Sequence, residues 1–175
     1  MFETIRCEDK IIAIIVKNNF KKDGISFFTP NDFSQQLAYM NHPRGKIIQP
    51  HVHNPVSREV FFTQEVLFIR KGKLRVDFYD DDKNYLESRI LESGDVILLA
   101  SGGHGFEIIE DVEMIEVKQG PYAGEMDKTR FDPSIHFASQ RVATQNTQGE
   151  RDQGSVFSLE RVIASRKVRP NGKDD

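Results

Sequence analysis

The sequence predicts an all-β domain of sandwich or barrel type, followed by a tail of different character. Three observations predict it. Short runs rich in Val, Ile, Phe and Tyr, many of them alternating apolar with polar, recur from residue 10 to residue 119, as half-buried strands do. Gly, Pro, Asn and Asp clusters separate these runs every 8–12 residues, the rhythm of a sandwich or barrel. After Pro121 the aromatic residues thin out, and 144–154 is rich in Gln, Thr, Asn and charge, like a linker.

The elements follow in order. Ile11–Val16 is short and β-branched and reads as the first strand. The turn Lys21-Lys22-Asp23-Gly24 leads into a short strand, Ile25–Phe28, and Thr29-Pro30-Asn31-Asp32 turns the chain again. Residues 35–40 read as a strand that pairs with 46–48 across the turn Asn41-His42-Pro43-Arg44-Gly45. Val60–Arg70 is apolar and aromatic, Lys71-Gly72-Lys73 reads as a hairpin turn, and Leu74–Tyr79 alternates. Tyr85–Leu91 and Val96–Leu99 are strands joined by the turn Glu92-Ser93-Gly94-Asp95. Phe106–Ile109 and Met114–Val117 flank an acidic turn at Glu110-Asp111. The expected barrel domain spans 1–131 and the extension 132–175, a short helical or disordered tail read as a linker in which Val156, Leu159 and Ile163 allow a short amphipathic helix.

Composition excludes several classes. A chain of 175 residues suits one domain. The net charge of -3, from 24 basic and 27 acidic residues, and the lack of a helix-turn-helix pattern argue against a nucleic-acid binder. The single cysteine, Cys7, forbids an intrachain disulfide and a cysteine-based zinc site. The longest apolar run, Ile11–Val16, is far too short to span a bilayer, and Glu3, Glu8 and Asp9 do not suit a secretory leader. The expectation is a soluble cytoplasmic domain.

The strongest local signal is Gly45-x5-His51-Val52-His53. Two histidines at i and i+2 on an extended segment point to one face and can reach one cation. Glu65 opens the apolar stretch Val66-Leu67-Phe68-Ile69, with Gly72 seven residues on. A carboxylate so placed is costly to bury unless it is paired or metal-bound. His104 sits in Ser101-Gly102-Gly103-His104-Gly105, where glycines allow sharp turning.

In these residues the chain resembles the cupin superfamily over about residues 25–120. Gly45, His51, His53, Glu65 and Gly72 match its first motif, and Gly94, Gly102 and His104 its second, with Ala100 in place of a proline. Eleven residues separate His53 from Glu65, where the family has three or four. Glu59 stands nearer the usual spacing, but only Glu65 has a glycine seven positions later. The spacing from Gly94 to His104 is one residue short. The resemblance implies a double-stranded β-helix, a jelly-roll barrel, with one divalent metal ion (Fe, Mn, Zn, Ni or Co) held by His51, His53, Glu65 and His104. His42 and His136 are left as surface residues.

Other polar residues are candidates for the pocket. Arg58, in the insertion, suits a carboxylate or phosphate. Glu116 and Lys118 alternate with Ile115 and Val117. If the apolar pair packs between sheets, Glu116 and Lys118 face solvent, which is the preferred parity; the reverse parity lines the barrel and makes both catalytic candidates. Tyr39 and Gln49 are further candidates, and the polar and aromatic stretches 118–122 and 127–131 are placed across the barrel mouth, at a subunit interface or along the surface. A three-histidine, one-carboxylate site leaves positions open for substrate. The resemblance implies a small-molecule metalloenzyme, with sugar or sugar-phosphate isomerase-like activity ranked first. An iron-dependent dioxygenase and a non-catalytic ligand-binding cupin are the alternatives. The expected partner is a small sugar or a carboxylate- or phosphate-bearing ligand. A homodimer is also expected, with Ile11–Val16 as a strand that copies exchange.

Overall fold

A computed structural model of the chain describes residues 1–133. The chain divides into two units, Met1–Ser139 and Gln140–Asp175. The second lies wholly outside the described residues, as do His136 and the expected helix near Val156. Among the described residues there is no α-helix. The strands are β1 (Phe2–Cys7), β2 (Lys10–Val16), β3 (Gly24–Phe27), β4 (Ala38–Asn41), β5 (Glu65–Tyr79), β6 (Tyr85–Glu92), β7 (Val96–Leu99) and β8 (Gly103–Lys118). One short 3₁₀ turn, Gly124–Met126, follows them. No helix of the described residues is long and apolar enough to cross a membrane.

Six strands form one strongly curled antiparallel sheet, a half-barrel. Its order is β1-β2-β7-β5-β6, with β8 on the other edge of β5. β2 is the expected first strand, but β1 precedes it and pairs with it from Phe2↔Val16 to Cys7↔Lys10. Every residue from Ile12 to Val16 is buried, on both faces, which is why this strand is uninterrupted in its hydrophobicity. It pairs with β1 on one edge and β7 on the other, within its own chain.

β3 pairs with β4 in a separate two-stranded sheet. This corrects the expected pairing of 35–40 with 46–48. Pro43 stops the strand, Lys46 N–H closes a turn onto the Pro43 carbonyl, and no strand forms at 46–48. Beside β3 and β4, Phe28, Phe33 and Leu37 cover Ile14, Val66 and Leu98 on one side of the sheet. The larger core, including Leu67, Leu74, Val76, Phe78, Leu91 and Ile97, fills the other side.

The largest departure from expectation is in β5 and β8. Lys71-Gly72-Lys73 is not a hairpin turn and Glu110-Asp111 is not a turn. Both lie inside long continuous strands of 15 and 16 residues that pair along their whole length, from Glu65↔Lys118 to Tyr79↔Gly103. The register shifts fall between Ile69 and Leu74, opposite the acidic pair. Gly72 has φ +83, and a Cβ there would stand 2.0 Å from the Asp111 carbonyl oxygen. A bulge re-aims and bends a strand pair, so the ladder curls at this point.

The Glu92–Asp95 turn forms as expected. Asp95 is 2% exposed and holds the turn together. Its carboxylate accepts the Asn18 N–H at 2.8 Å and the Glu92 N–H at 2.9 Å, and it pairs with Lys17.

Candidate functional site

Glu65 is the first residue of β5 and His104 the second of β8. Along the β5–β8 ladder His104 stands opposite Phe78, thirteen residues from Glu65. In a straight strand that separation is about 43 Å. In the curled ladder His104 Nε2 lies 3.3 Å from Glu65 Oε2. The curl at Gly72 brings one end of β5 round toward the other, and the Gly102 turn, with φ +67, carries the chain from β7 into β8 beside it. Lack of a side chain is required at both positions. A Cβ on Gly102 would meet the Tyr79 carbonyl oxygen at 2.5 Å.

Charge converges on this pair. Lys118 Nζ is 3.9 Å from Glu65 Oε1 and 3.2 Å from Asp127 Oδ2. Thr63 donates its hydroxyl to the other Asp127 oxygen at 3.3 Å. The hydrogen bond to His104 holds the Glu65 carboxyl below its usual range; burial opposes this, and the charges of His104, Lys118 and Lys128 add to the lowering. The Lys118 ammonium is pushed up, chiefly by its hydrogen bond to Asp127. Burial raises the Tyr79 hydroxyl. A negative carboxylate and a positive amine therefore persist side by side at neutral pH.

Thr63, Glu65, Tyr79, His104 and Asp127 line a cleft of about 830 Å³, within the size range of small-molecule sites. Phe61, Phe62, Tyr79, Phe106 and Phe131 give it apolar walls, and Asp81, Lys128 and Arg130 add charge. The stretch Asp127–Phe131 lies along it. Glu116 also lines it, because its partner in the ladder is the buried core residue Leu67, and paired residues share a face. This overturns the parity preferred from sequence: Glu116 and Lys118 belong to the concave side, and Ile115 and Val117 are half exposed on the other.

The remaining candidates stand elsewhere. His51 and His53 lie on a segment without secondary structure in which every residue from 43 to 63 is exposed. Their rings are 5.3 Å apart, and His51 Nδ1 donates to the Gln49 carbonyl at 3.0 Å. The structure joins Glu65 to His104 and His51 to His53, but does not bring the two pairs together. Among the described residues no three His, Cys, Asp or Glu side chains form a cation-sized cluster. Arg58 is exposed and contacts the Val56 carbonyl at 3.4 Å. Tyr39 packs on Phe20 in an aromatic group with Phe2 and Phe28, away from the cleft. His42 is half buried.

Sequence reasoning did not single out Tyr79 or Asp81, nor Asp127 as the partner of Lys118. Only the density of polar and aromatic residues over 127–131 signalled that segment. No family model, curated protein or solved structure gives a significant match to the chain.

Proposed function

We propose that this chain is a metal-binding, cupin-like jelly roll that acts on a small polar ligand in the cleft beside Glu65 and His104, with sugar or sugar-phosphate isomerase-like chemistry as the first reading. The observation that carries it is the meeting of Glu65 and His104 at 3.3 Å on the wall of that cleft. Imidazole and carboxylate are suitable donors for Fe, Mn, Zn, Ni or Co. His51 and His53 supply two more imidazoles on a segment whose end, Phe61–Thr63, lines the same cleft. In this reading the four side chains hold one divalent ion, and the ion acts as a Lewis acid toward a carbonyl or hydroxyl.

The other groups then have distinct tasks. Lys118 holds positive charge beside Glu65 and can steady an anionic or developing oxyanion group. Glu116, which lines the cleft, can take or give a proton. Lys128 and Arg130 suit a phosphate or carboxylate, and Arg58 would reach it only from the exposed segment. A lone cysteine, half buried, suits a reducing cytoplasm. The outer edge of β8 has no strand partner among the described residues, which supports a homodimer.

Elemental analysis of protein purified without chelator tests this. About one equivalent of metal is expected, and His51→Ala, His53→Ala and Glu65→Ala should each lose most of it while keeping a β-type circular dichroism spectrum. Unchanged metal content in both histidine variants would remove the site. Greater loss in Glu59→Ala than in Glu65→Ala would move the carboxylate ligand. Stoichiometric metal with no turnover on a panel of sugars and sugar phosphates would favour a binding protein over an isomerase.

A further inference from the structure

The small sheet of β3 and β4 exposes its more apolar side. Paired residues share a face, and faces alternate along each strand. Ser26↔Tyr39 therefore lies on one face, and Ile25↔Met40 with Phe27↔Ala38 on the other. The first face is turned inward. Tyr39 packs edge-on against Phe20, whose ring also meets Phe28, and the Ser26 hydroxyl is buried. The second face carries no polar side chain, yet Ile25 is 53%, Phe27 63% and Met40 60% exposed. None of these three covers Ile14, Val66 and Leu98; Phe28, Phe33 and Leu37 do that. The outer side of an antiparallel sheet ordinarily shows polar residues to water, and a contiguous exposed apolar face marks an interaction surface.

Cations gather at one end of this face. The register places Gly24 opposite Asn41, so the approach to β3 and the exit from β4 leave the sheet side by side. The first carries Lys21 and Lys22, the second Arg44 and Lys46, and all four are exposed. Among the described residues none of the four makes an ion pair or a side-chain hydrogen bond. Asp23 is the only acid in 20–28 or 38–48, and its carboxylate accepts the Asn41 side-chain amide at 3.2 Å. Lys46 is followed by Ile47 and Ile48, both exposed.

The two features together select the occupant. Projecting apolar side chains suit a soft apolar layer, and unpaired cations beside them suit the anionic headgroups above it. A second copy docked by a two-fold axis would set these cations against their own equivalents, and like charges across an interface oppose association.

We propose that the outer face of β3 and β4 docks on the surface of an anionic phospholipid bilayer. Ile25, Phe27 and Met40 enter the boundary between headgroups and acyl chains, and Lys21, Lys22, Arg44 and Lys46 lie among the phosphates. The chain rests on the bilayer and does not cross it. None of these residues lines the cleft at Glu65 and His104, so the proposal stands if the metal reading fails.

Flotation of the full chain with lipid vesicles tests it. Vesicles of equimolar phosphatidylcholine and phosphatidylserine should carry the chain saturably, and phosphatidylcholine alone should bind at least about tenfold more weakly. Added salt should weaken the binding. Lys21→Ala with Lys22→Ala removes two cations worth about fivefold each, a loss of about 25-fold. Phe27→Ser should lose at least about fivefold. All three positions are exposed, so these variants should keep the parent's circular dichroism spectrum. The chain has no tryptophan, so Phe27→Trp places a single reporter in the face. Its emission should shift to the blue on phosphatidylserine vesicles and be quenched by brominated acyl chains. No binding to either vesicle, equal binding to both, or emission that neither shifts nor is quenched would each overturn the proposal. Binding of poly-glutamate in place of vesicles would overturn it in favour of an acidic protein. A dimer abolished by Phe27→Ser, without vesicle binding, would overturn it in favour of a second copy.

Discussion

The curled sheet and the segment from 43 to 63 are both rich in apolar residues, yet they behave in opposite ways. In the sheet, Leu74, Val76, Phe78 and Leu91 are fully buried. In the segment, Val52 is 86% exposed and Phe61 83%. The sheet's strands find partners through period-two alternation, so each apolar face has a surface to pack on. The segment carries prolines at 43, 50 and 55, which withhold donors from any ladder. Hydrophobic content alone does not fold a segment; a regular backbone must present it to a partner. The proposed metal site draws two donors from each region, which makes the contrast testable.

Breaking the curl should have the largest effect. Gly72→Ala forces a side chain into a left-handed backbone position and against the Asp111 carbonyl. A loss of at least about 3 kcal/mol in denaturant unfolding is expected, together with dispersal of the Glu65–His104 pair, read from the His104 imidazole resonances. A mild loss with unchanged resonances would mean that the bulge does not shape the site. Next comes Asp95→Ala, which strips two backbone N–H groups and Lys17 of their acceptor. Hydrogen bonds to charged groups contribute about 1.5–3 kcal/mol, so a loss on the order of 3 kcal/mol is expected by thermal or urea unfolding. Asp95→Asn should retain part of it.

These two positions also show what the sequence makes legible. The Glu92–Asp95 turn is read correctly because its interactions are largely local: Asp95 accepts the N–H of Glu92, three residues back. Gly72 is misread because a glycine with positive φ serves a hairpin turn and a bulge equally well. The choice depends on Asp111, thirty-nine residues away, and no local pattern contains that contact. The same distance hides the site. Alternation along 114–118 shows that Glu116 and Lys118 share a face, but which face is concave depends on pairing with Leu67 and Glu65. β1 escapes notice because Glu3 and Arg6 interrupt its apolar residues. Glu3 is accounted for by its 2.8 Å contact with Arg89.

A pH experiment probes the far half of the ladder with a smaller effect. Burial would raise the Asp77 carboxyl, but the hydrogen bonds from Arg75 and Ser88 and the Arg75 charge outweigh it, and the group sits below the usual aspartate value of 3.8. A carboxyl with a lowered folded value stabilises the fold fully above its unfolded value. That stabilisation is lost as pH falls through the folded one. Unfolding midpoints should therefore fall as pH drops below about 4, in line with the shift of Asp77, and Asp77→Asn should flatten that part of the profile. An identical slope in the variant would place the acid sensitivity elsewhere.

The smallest effect is expected in the exposed segment, and it separates a loose segment from a packed one. Val52→Ser removes an apolar side chain that is 86% exposed and lies between His51 and His53. Surface substitutions of this kind shift stability by no more than about 0.5 kcal/mol, whereas a buried valine in the sheet, such as Val76, would lose several times that on truncation. Amide exchange should divide the same way, fast over 43–63 and slow over Leu74–Phe78, because exposed backbone opens without breaking a ladder. Added Mn²⁺ or Zn²⁺ sharpens the test. If His51 and His53 join Glu65 and His104 around one ion, amides near His51 gain protection and Val52→Ser begins to cost stability only in the presence of metal. If Val52→Ser is already destabilising by 2 kcal/mol or so without metal, the segment packs on the sheet in solution. The contrast between the two regions would then be lost.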